Sequence, residues 1–343
     1  MKLPHAALTP FLAAAMLHAA PDPITSSAAP YPKDAKTSIE RLDPAFDALV
    51  GLDAVVENLG SGFNWSEGPV WDPAQGALLF SDVPENRVYR WKDGAGITVF
   101  LSPSGFTGTV YNGRERGSNG LTLDAAGRLV LCQHGDRRVA RLAADGKGFE
   151  TVVDKFEGKR FSSPNDLCFD KAGNLFFTDP PYGLPSDTKQ ETDFNGVYRL
   201  STDGKLTVIA RDMARPNGAA LSPDEKTLYV GSTDGQEPWV KAFALNPDGT
   251  VASSRIFFDG TALMKAGRRG GFDGLRVDAQ GNVWTSGPGG ILVISPEGRH
   301  LGSILTQRAT ANCAFGDADH QTLYITADES LLRVRTAVKG AGR

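Results

Sequence analysis

Asp170-Lys171-Ala172-Gly173-Asn174-Leu175-Phe176-Phe177 reads as a tight turn running into an apolar strand, and the chain writes this phrase six times. The other copies start at Asp72 (Gly76-Ala77-Leu78-Leu79-Phe80), Asp124 (Gly127-Arg128-Leu129-Val130-Leu131) and Ser222 (Thr227-Leu228-Tyr229-Val230). The last two start at Asp278 (Gly281-Asn282-Val283-Trp284-Thr285) and Gly316-Asp317 (Thr322-Leu323-Tyr324-Ile325). A second strand follows each copy, such as Arg87-Val88-Tyr89-Arg90-Trp91, Gly196-Val197-Tyr198-Arg199-Leu200 or Leu331-Leu332-Arg333-Val334-Arg335. Spacings of about 40 to 55 residues are those of repeats that each build one four-stranded propeller blade. The expectation is an all-β chain, a six-bladed β-propeller with a central metal site. Such a ring presents its loops around one axial pocket.

Composition agrees. Glycine and proline (39 and 21 residues) punctuate short apolar runs, as many turns require. With 36 basic against 40 acidic residues, the net charge of −4 carries no basic stripe, so no nucleic-acid partner is expected. The three cysteines, Cys132, Cys168 and Cys313, match no zinc or CxxC spacing and are read as small hydrophobes.

Lys2, the apolar stretch from Ala6 to Ala20 and the small residues through Ala29 have the order of a secretory signal. That stretch is too short to span a bilayer. Residues 1–37 are therefore expected to be signal peptide and linker, and 38–343 the propeller. The localisation expected is periplasmic or secreted, with no membrane segment in the mature form; a cytoplasmic chain with an unstructured leader is the alternative. Ser38 to Leu49 is expected to form a short helix under the first blade. A strand near Leu52 to Val56 should close the ring onto the last blade. Pro103 to Gly117 and Pro180 to Asn195 exceed the blade template, and loops of such length are more often functional than idle.

The inner strand of a blade begins near the axis, so residues just upstream of each Asp-x-x-Gly turn converge. They are Glu67, Asn119, Asn165, Asn217, Asp273 and Asn312. Any one Asn-Gly or Asp-Gly pair is a turn signal. In register, two carboxylates and several amide oxygens suit a hard divalent cation: Ca²⁺ first, with Zn²⁺, Mg²⁺ or Mn²⁺ as other occupants.

Phe63-x-x-x-Glu67-Gly68-Pro69-Val70-Trp71, Ser118-Asn119-Gly120-Leu121, Ser163-Pro164-Asn165-Asp166, Arg215-Pro216-Asn217-Gly218 and Phe272-Asp273-Gly274-Leu275 resemble the signature of the SMP-30/gluconolactonase family. His134-Gly135-Asp136-Arg137 and Thr178-Asp179-Pro180-Pro181-Tyr182-Gly183 resemble its bacterial gluconolactonase branch. The resemblance implies one catalytic cation held by Glu67, Asn165, Asn217 and Asp273, with Asn119 in the substrate pocket. It implies hydrolysis of a small-molecule lactone, the metal polarising the carbonyl and Asp273 activating water, with Glu67 as the other base candidate.

Beside that core, His134 is a candidate for binding a sugar hydroxyl or shuttling a proton. Arg114, Arg116 and Arg137 are candidates for hydroxyl or carboxylate contacts, Arg116 foremost, although a solvated arginine is the commoner reading. Tyr182 is a candidate for the pocket mouth. No Gly-x-Ser-x-Gly or His-Glu-x-x-His motif is present. Three functions remain open: a sugar lactonase, a metal hydrolase of other esters, lactones or organophosphates, and a binding propeller with a structural metal.

Overall fold

A computed structural model describes residues 36–342. The expected signal peptide and most of its linker lie outside the described residues. Six antiparallel sheets surround one axis. Blade 1 comprises strands Ser66–Asp72, Ala77–Asp82, Arg87–Lys92 and Gly96–Leu101. Blade 2 comprises Ser118–Leu123, Leu129–Gln133, Arg138–Leu142 and Phe149–Val153. Blade 3 follows with Leu167–Phe169, Leu175–Asp179, Gly196–Leu200 and Leu206–Ala210, and blade 4 with Pro216–Leu221, Thr227–Ser232, Trp239–Leu245 and Val251–Asp259. Blade 5 is built from Leu275–Val277, Val283–Gly287, Gly290–Ile294 and His300–Leu305. Blade 6 takes Thr310–Gly316, Thr322–Ala327 and Ser330–Arg335 from the C-terminal end of the chain.

In four copies the Asp that opens the phrase, Asp72, Asp124, Asp170 or Asp278, makes its turn. Asp72 Oδ1 accepts from the backbone of Ala74 and Gln75 at 2.9 and 3.2 Å, and Asp124 Oδ1 from Ala126 and Arg128 at 2.9 and 3.0 Å. Asp278 does the same for Gln280 and Asn282 and also takes the Trp284 indole N–H. A carboxylate that satisfies its own turn needs no partner elsewhere, which is why this phrase can recur.

The core lies between blades, sheet face against sheet face. Leu78, Phe80 and Trp91 of blade 1 pack on Tyr324 and Leu331 of blade 6, and Trp71 stacks on Tyr324 at 5.8 Å between ring centroids. Phe176 and Val197 of blade 3 meet Leu228, Val230 and Phe243 of blade 4. Each such side chain contributes about 1.5–3 kcal/mol by leaving water.

The N-terminal segment closes the ring. Val56–Ser61 is the outermost strand of blade 6, pairing Val56 with Val334 and Ser61 with Ser330, a few residues later than expected. The expected helix over Ser38 to Leu49 is mostly something else. Ser38–Arg41 adds a fifth strand to blade 5, and only Pro44–Ala48 is helical, as one 3₁₀ turn capped by Asp43. It buries Phe46 against Trp284, Ile291 and Phe315, so it packs on blades 5 and 6 rather than under blade 1. Alternation in Ser38-Ile39-Glu40-Arg41 suits a strand edge, and Arg268 locks it by a bidentate pair to Glu40 at 2.6 and 2.9 Å.

Around the axis the inner strands approach closely enough to share backbone hydrogen bonds between blades. Gly120 N–H donates to Asn165 O at 2.7 Å, Gly218 to Asp273 O at 3.0 Å and Gly274 to Ala311 O at 2.7 Å. A Cβ on Gly218 would sit 2.2 Å from the Asp273 carbonyl oxygen, and one on Gly274 would sit 1.9 Å from the Asn312 amide carbon. Neither glycine has a positive φ. Close approach, rather than turn geometry, demands them. We therefore expect Gly218→Ala to cost about 1–3 kcal/mol in urea unfolding. Gly235→Ala, where the added methyl meets nothing within 4 Å, should stay within about 0.5 kcal/mol.

Candidate active site

Six side chains stand at the axial ends of the inner strands. Glu67, Asn119, Asn165, Asn217 and Asn312 are buried, and Asp273 is half-buried. Contacts run around the ring. Asn165 Nδ2 donates to Asn217 Oδ1 at 2.5 Å, Asn217 hydrogen-bonds the Asp273 carboxylate, and Asn312 Nδ2 donates to Glu67 Oε2 at 3.3 Å. Asn312 also accepts from Cys313 N–H at 2.8 Å, so it braces Glu67 instead of offering a free oxygen.

The ring residues are aimed by the second strand of their own blade or of the blade before it. Ser81 Oγ donates to Asn119 O at 2.8 Å, Thr178 Oγ1 to Asn217 O at 2.6 Å and Thr326 Oγ1 to Asn312 O at 3.3 Å. Ser286 Oγ accepts from Asp273 N–H at 2.9 Å. Asp82 and Asp179 go further and clamp the loops leading into the ring. Asp82 accepts from Asn64 and Trp65 N–H at 3.1 and 3.2 Å, and Asp179 from Ser162 and Ser163 N–H at 2.9 and 2.7 Å. Burial pushes the Asp179 carboxyl up to about 7. The hydroxyl or acid closing Phe80-Ser81-Asp82 and Phe177-Thr178-Asp179 was a readable signal for these residues, hidden by their place inside apolar strands.

Among the described residues no cluster of three or more His, Cys, Asp or Glu is placed to hold a metal. The ring's donors are instead two carboxylates and four amides. Their chemistry fits a hard cation, because oxygen ligands of mixed charge are what Ca²⁺ and Mg²⁺ accept. Two buried oxygens, Asn119 Oδ1 and Asp273 Oδ1, have no hydrogen-bond partner. Such orphans carry a desolvation cost that a ligand would remove. Burial raises the Glu67 and Asp273 carboxyls, and repulsion between the two raises Asp273 further.

Two charged groups of the channel escaped the sequence reading. Asp166, fully buried, holds the position after Asn165 where blades 1, 2, 4 and 5 have glycine. Arg276 faces it at 3.4 Å and also donates to Leu275 O at 2.7 Å. Beneath this pair a cavity of about 790 Å³ opens toward the turn ends of the inner strands, lined by Val70, Thr122, Cys168, Ala220 and Arg276.

The peripheral candidates fall in different places. His134 is fully buried, its Nε2 3.2 Å from Asn165 Oδ1 and its Nδ1 3.3 Å from Glu115 Oε2, the latter an electrostatic contact without hydrogen-bond alignment. Its Nε2 thus touches the ring through Asn165. Tyr182 is beside the ring: its hydroxyl meets Thr233, burial pushes it up to about 12, and the Asp273 charge acts in the same direction. Arg114 and Arg116 are exposed, with Arg116 Nε directed at Pro84 O at 3.3 Å. Arg137 is spent on Phe161 O at 2.6 Å and Glu191 at 3.2 Å. The two long loops join each other: Asn112 Nδ2 donates to Asp187 at 2.5 Å, and Ser186 N–H to Asn112 O at 2.8 Å.

Residues 65–329 match the family model described as SMP-30/Gluconolactonase/LRE-like region. A gluconolactonase of Zymomonas mobilis is 40% identical over 317 residues, covering 88% of this chain and 87% of that protein. Pentonolactonase XacC of Haloferax volcanii is 27% identical over 265 residues, covering 76% and 80%. A solved gluconolactonase from Xanthomonas campestris superposes with a TM-score of 0.77 at 35% identity, covering 88% of this chain and 96% of its own.

Raised carboxyls hold protons that an incoming cation must displace. Calorimetric titration of Ca²⁺ or Mn²⁺ into EDTA-stripped protein should therefore show proton release, seen as a heat that depends on the buffer's ionisation enthalpy. Affinity should fall as pH falls. Glu67→Gln and Asp273→Asn should each diminish the proton count.

Proposed function

Since the chain belongs to the SMP-30/gluconolactonase/LRE-like family, we propose that it hydrolyses a sugar lactone at the axial ring, with one divalent cation held by Glu67, Asn165, Asn217 and Asp273. The observation that carries the reading is the convergence of these four side chains from four blades, with Asp273 Oδ1 left without a partner. Bound there, a cation would supply Lewis-acid polarisation of the lactone carbonyl. The chain's own residues do the rest.

Asp273 carries the ring's unpartnered carboxylate oxygen, Oδ1, and this oxygen is the base that removes a proton from the attacking water. The water oxygen bonds to the carbonyl carbon, the ring C–O bond breaks, and the alcohol oxygen so released takes up the proton. The product is the open hydroxy acid. Glu67 is less suited to this work, because Oε2 is occupied by Gly68 N–H at 2.8 Å and by Asn312. Asn119 Oδ1, the other orphan, is the oxygen we assign to a substrate hydroxyl. Tyr182, whose hydroxyl meets Thr233 and feels the Asp273 charge, is the aromatic side chain to offer a substrate beside the ring.

Glucono-1,5-lactone is the substrate to try first, after EDTA treatment and with spontaneous opening subtracted. Turnover should appear on adding a divalent cation. Asp273→Asn should lower kcat by about 10²-fold or more, the ordinary contribution of a general base. A cation-bound protein inactive on sugar lactones would shift the reading to other esters. Full activity of Asp273→Asn would remove this residue from the mechanism. A folded, cation-binding chain inactive on lactones and esters alike would be a binding propeller.

A further inference from the structure

We infer that Glu115 is a positioning residue of the ring, acting through His134 on the Asn165 amide; the inference rests on reading the ring as a cation site. The contact sequence is continuous. Glu115 Oε2 lies 3.3 Å from His134 Nδ1, His134 Nε2 lies 3.2 Å from Asn165 Oδ1, Asn165 Nδ2 donates to Asn217 Oδ1 at 2.5 Å, and Asn217 reaches Asp273. Three of the four proposed ligands thus hang on one line that begins outside the ring.

His134 has no freedom to do anything else. It is fully buried, and a Cβ on Gly183 would meet its Cβ and Cγ at 2.3 and 2.5 Å, so backbone of the second long loop packs against it. Among the described residues its Nδ1 has no hydrogen-bond partner, and the Glu115 carboxylate stands 3.3 Å from it. The carboxylate is therefore the charge that faces the outer nitrogen of the packed imidazole. Through Nε2 the imidazole fixes the plane of the Asn165 side-chain amide. The amide has two settings with a partner. It can accept from Nε2–H through Oδ1, or turn over, donate Nδ2–H to Nε2 and leave Oδ1 toward Asn217. A partner outside the coordination shell that orients a ligand in this way is commonly worth 10–100-fold in metal affinity.

Glu115 is delivered by an anchored loop. Asn86 Oδ1 accepts from Ser104, Gly105 and Phe106 N–H at 3.0, 2.7 and 3.1 Å, and Thr107 is tied to Asp136 by its N–H and hydroxyl at 3.1 and 2.8 Å. The Tyr111 hydroxyl is 2.9 Å from Glu115 O and also reaches Gly183 O, so the same group seats both loops around His134. Loop 103–117 is on this account part of the metal site, although none of its residues belongs to the ring.

The test is calorimetric Kd for Ca²⁺ and Mn²⁺ on the full chain, with the thermal midpoint reporting folding separately. Glu115→Ala should weaken binding 10–100-fold, and Glu115→Gln, which keeps the size but not the charge that faces Nδ1, should weaken it as much. In a His134→Phe background Glu115→Ala should have no further effect, because the line is already cut. Wild-type affinity in Glu115→Ala overturns the inference and leaves the ring reading standing. Wild-type affinity in Glu115→Gln also overturns it, since the carboxylate charge would then play no part. If His134→Phe does not fold, the Ala and Gln variants decide alone. Absence of any cation binding by the wild-type chain fells the ring reading, and this inference with it.

Discussion

The backbone hydrogen bonds that lace neighbouring inner strands together at the axis govern everything else in this molecule. Gly120 to Asn165, Gly218 to Asp273 and Gly274 to Ala311 are bonds between blades, not within them. They demand that one strand's backbone pass where a side chain would otherwise stand, and glycine meets that demand. The consequence is convergence. Side chains next to those glycines are forced to the axis, and with their counterparts in the other blades six short polar ones stand at one level. Local sequence sets a packing constraint, packing gathers the side chains, and their gathering makes a site.

The same closeness is electrostatically expensive. Glu67, Asp166 and Asp273 share a space with little water, and burial raises each of their carboxyls. Arg276 is the structure's answer to Asp166, at 3.4 Å and with its own guanidinium out of bulk solvent. Glu67 and Asp273 have amides beside them but no cation. A ring balanced except for two carboxylates is suited in charge to one divalent ion, and it would hold protons in that ion's absence.

Much of this was legible in the amino acids. Each ring residue precedes its turn residue by the same five positions, Glu67 to Asp72, Asn119 to Asp124, Asn165 to Asp170, Asn217 to Ser222, Asp273 to Asp278 and Asn312 to Asp317. A constant offset in a repeat means a constant height in the fold, so both the six blades and the ring could be read. What lay beyond reading was whatever depends on contact between distant segments. Ser38–Arg41 looked helical because nothing local announces that an edge of blade 5 awaits it. The strand-to-turn position of His134 says nothing about Glu115 and Gly183, which close over it. Glu115 and Arg276 are ordinary charged residues until the fold supplies their partners.

The central claim is that the axial ring is where a divalent cation sits. Anomalous diffraction from crystals of the full chain equilibrated with Mn²⁺ tests it without reference to any reaction. The account predicts one strong peak per chain on the propeller axis, within coordination distance of oxygens from Glu67, Asn165, Asn217 and Asp273. No peak at the ring under saturating Mn²⁺, or a peak only elsewhere on the molecule, would contradict it.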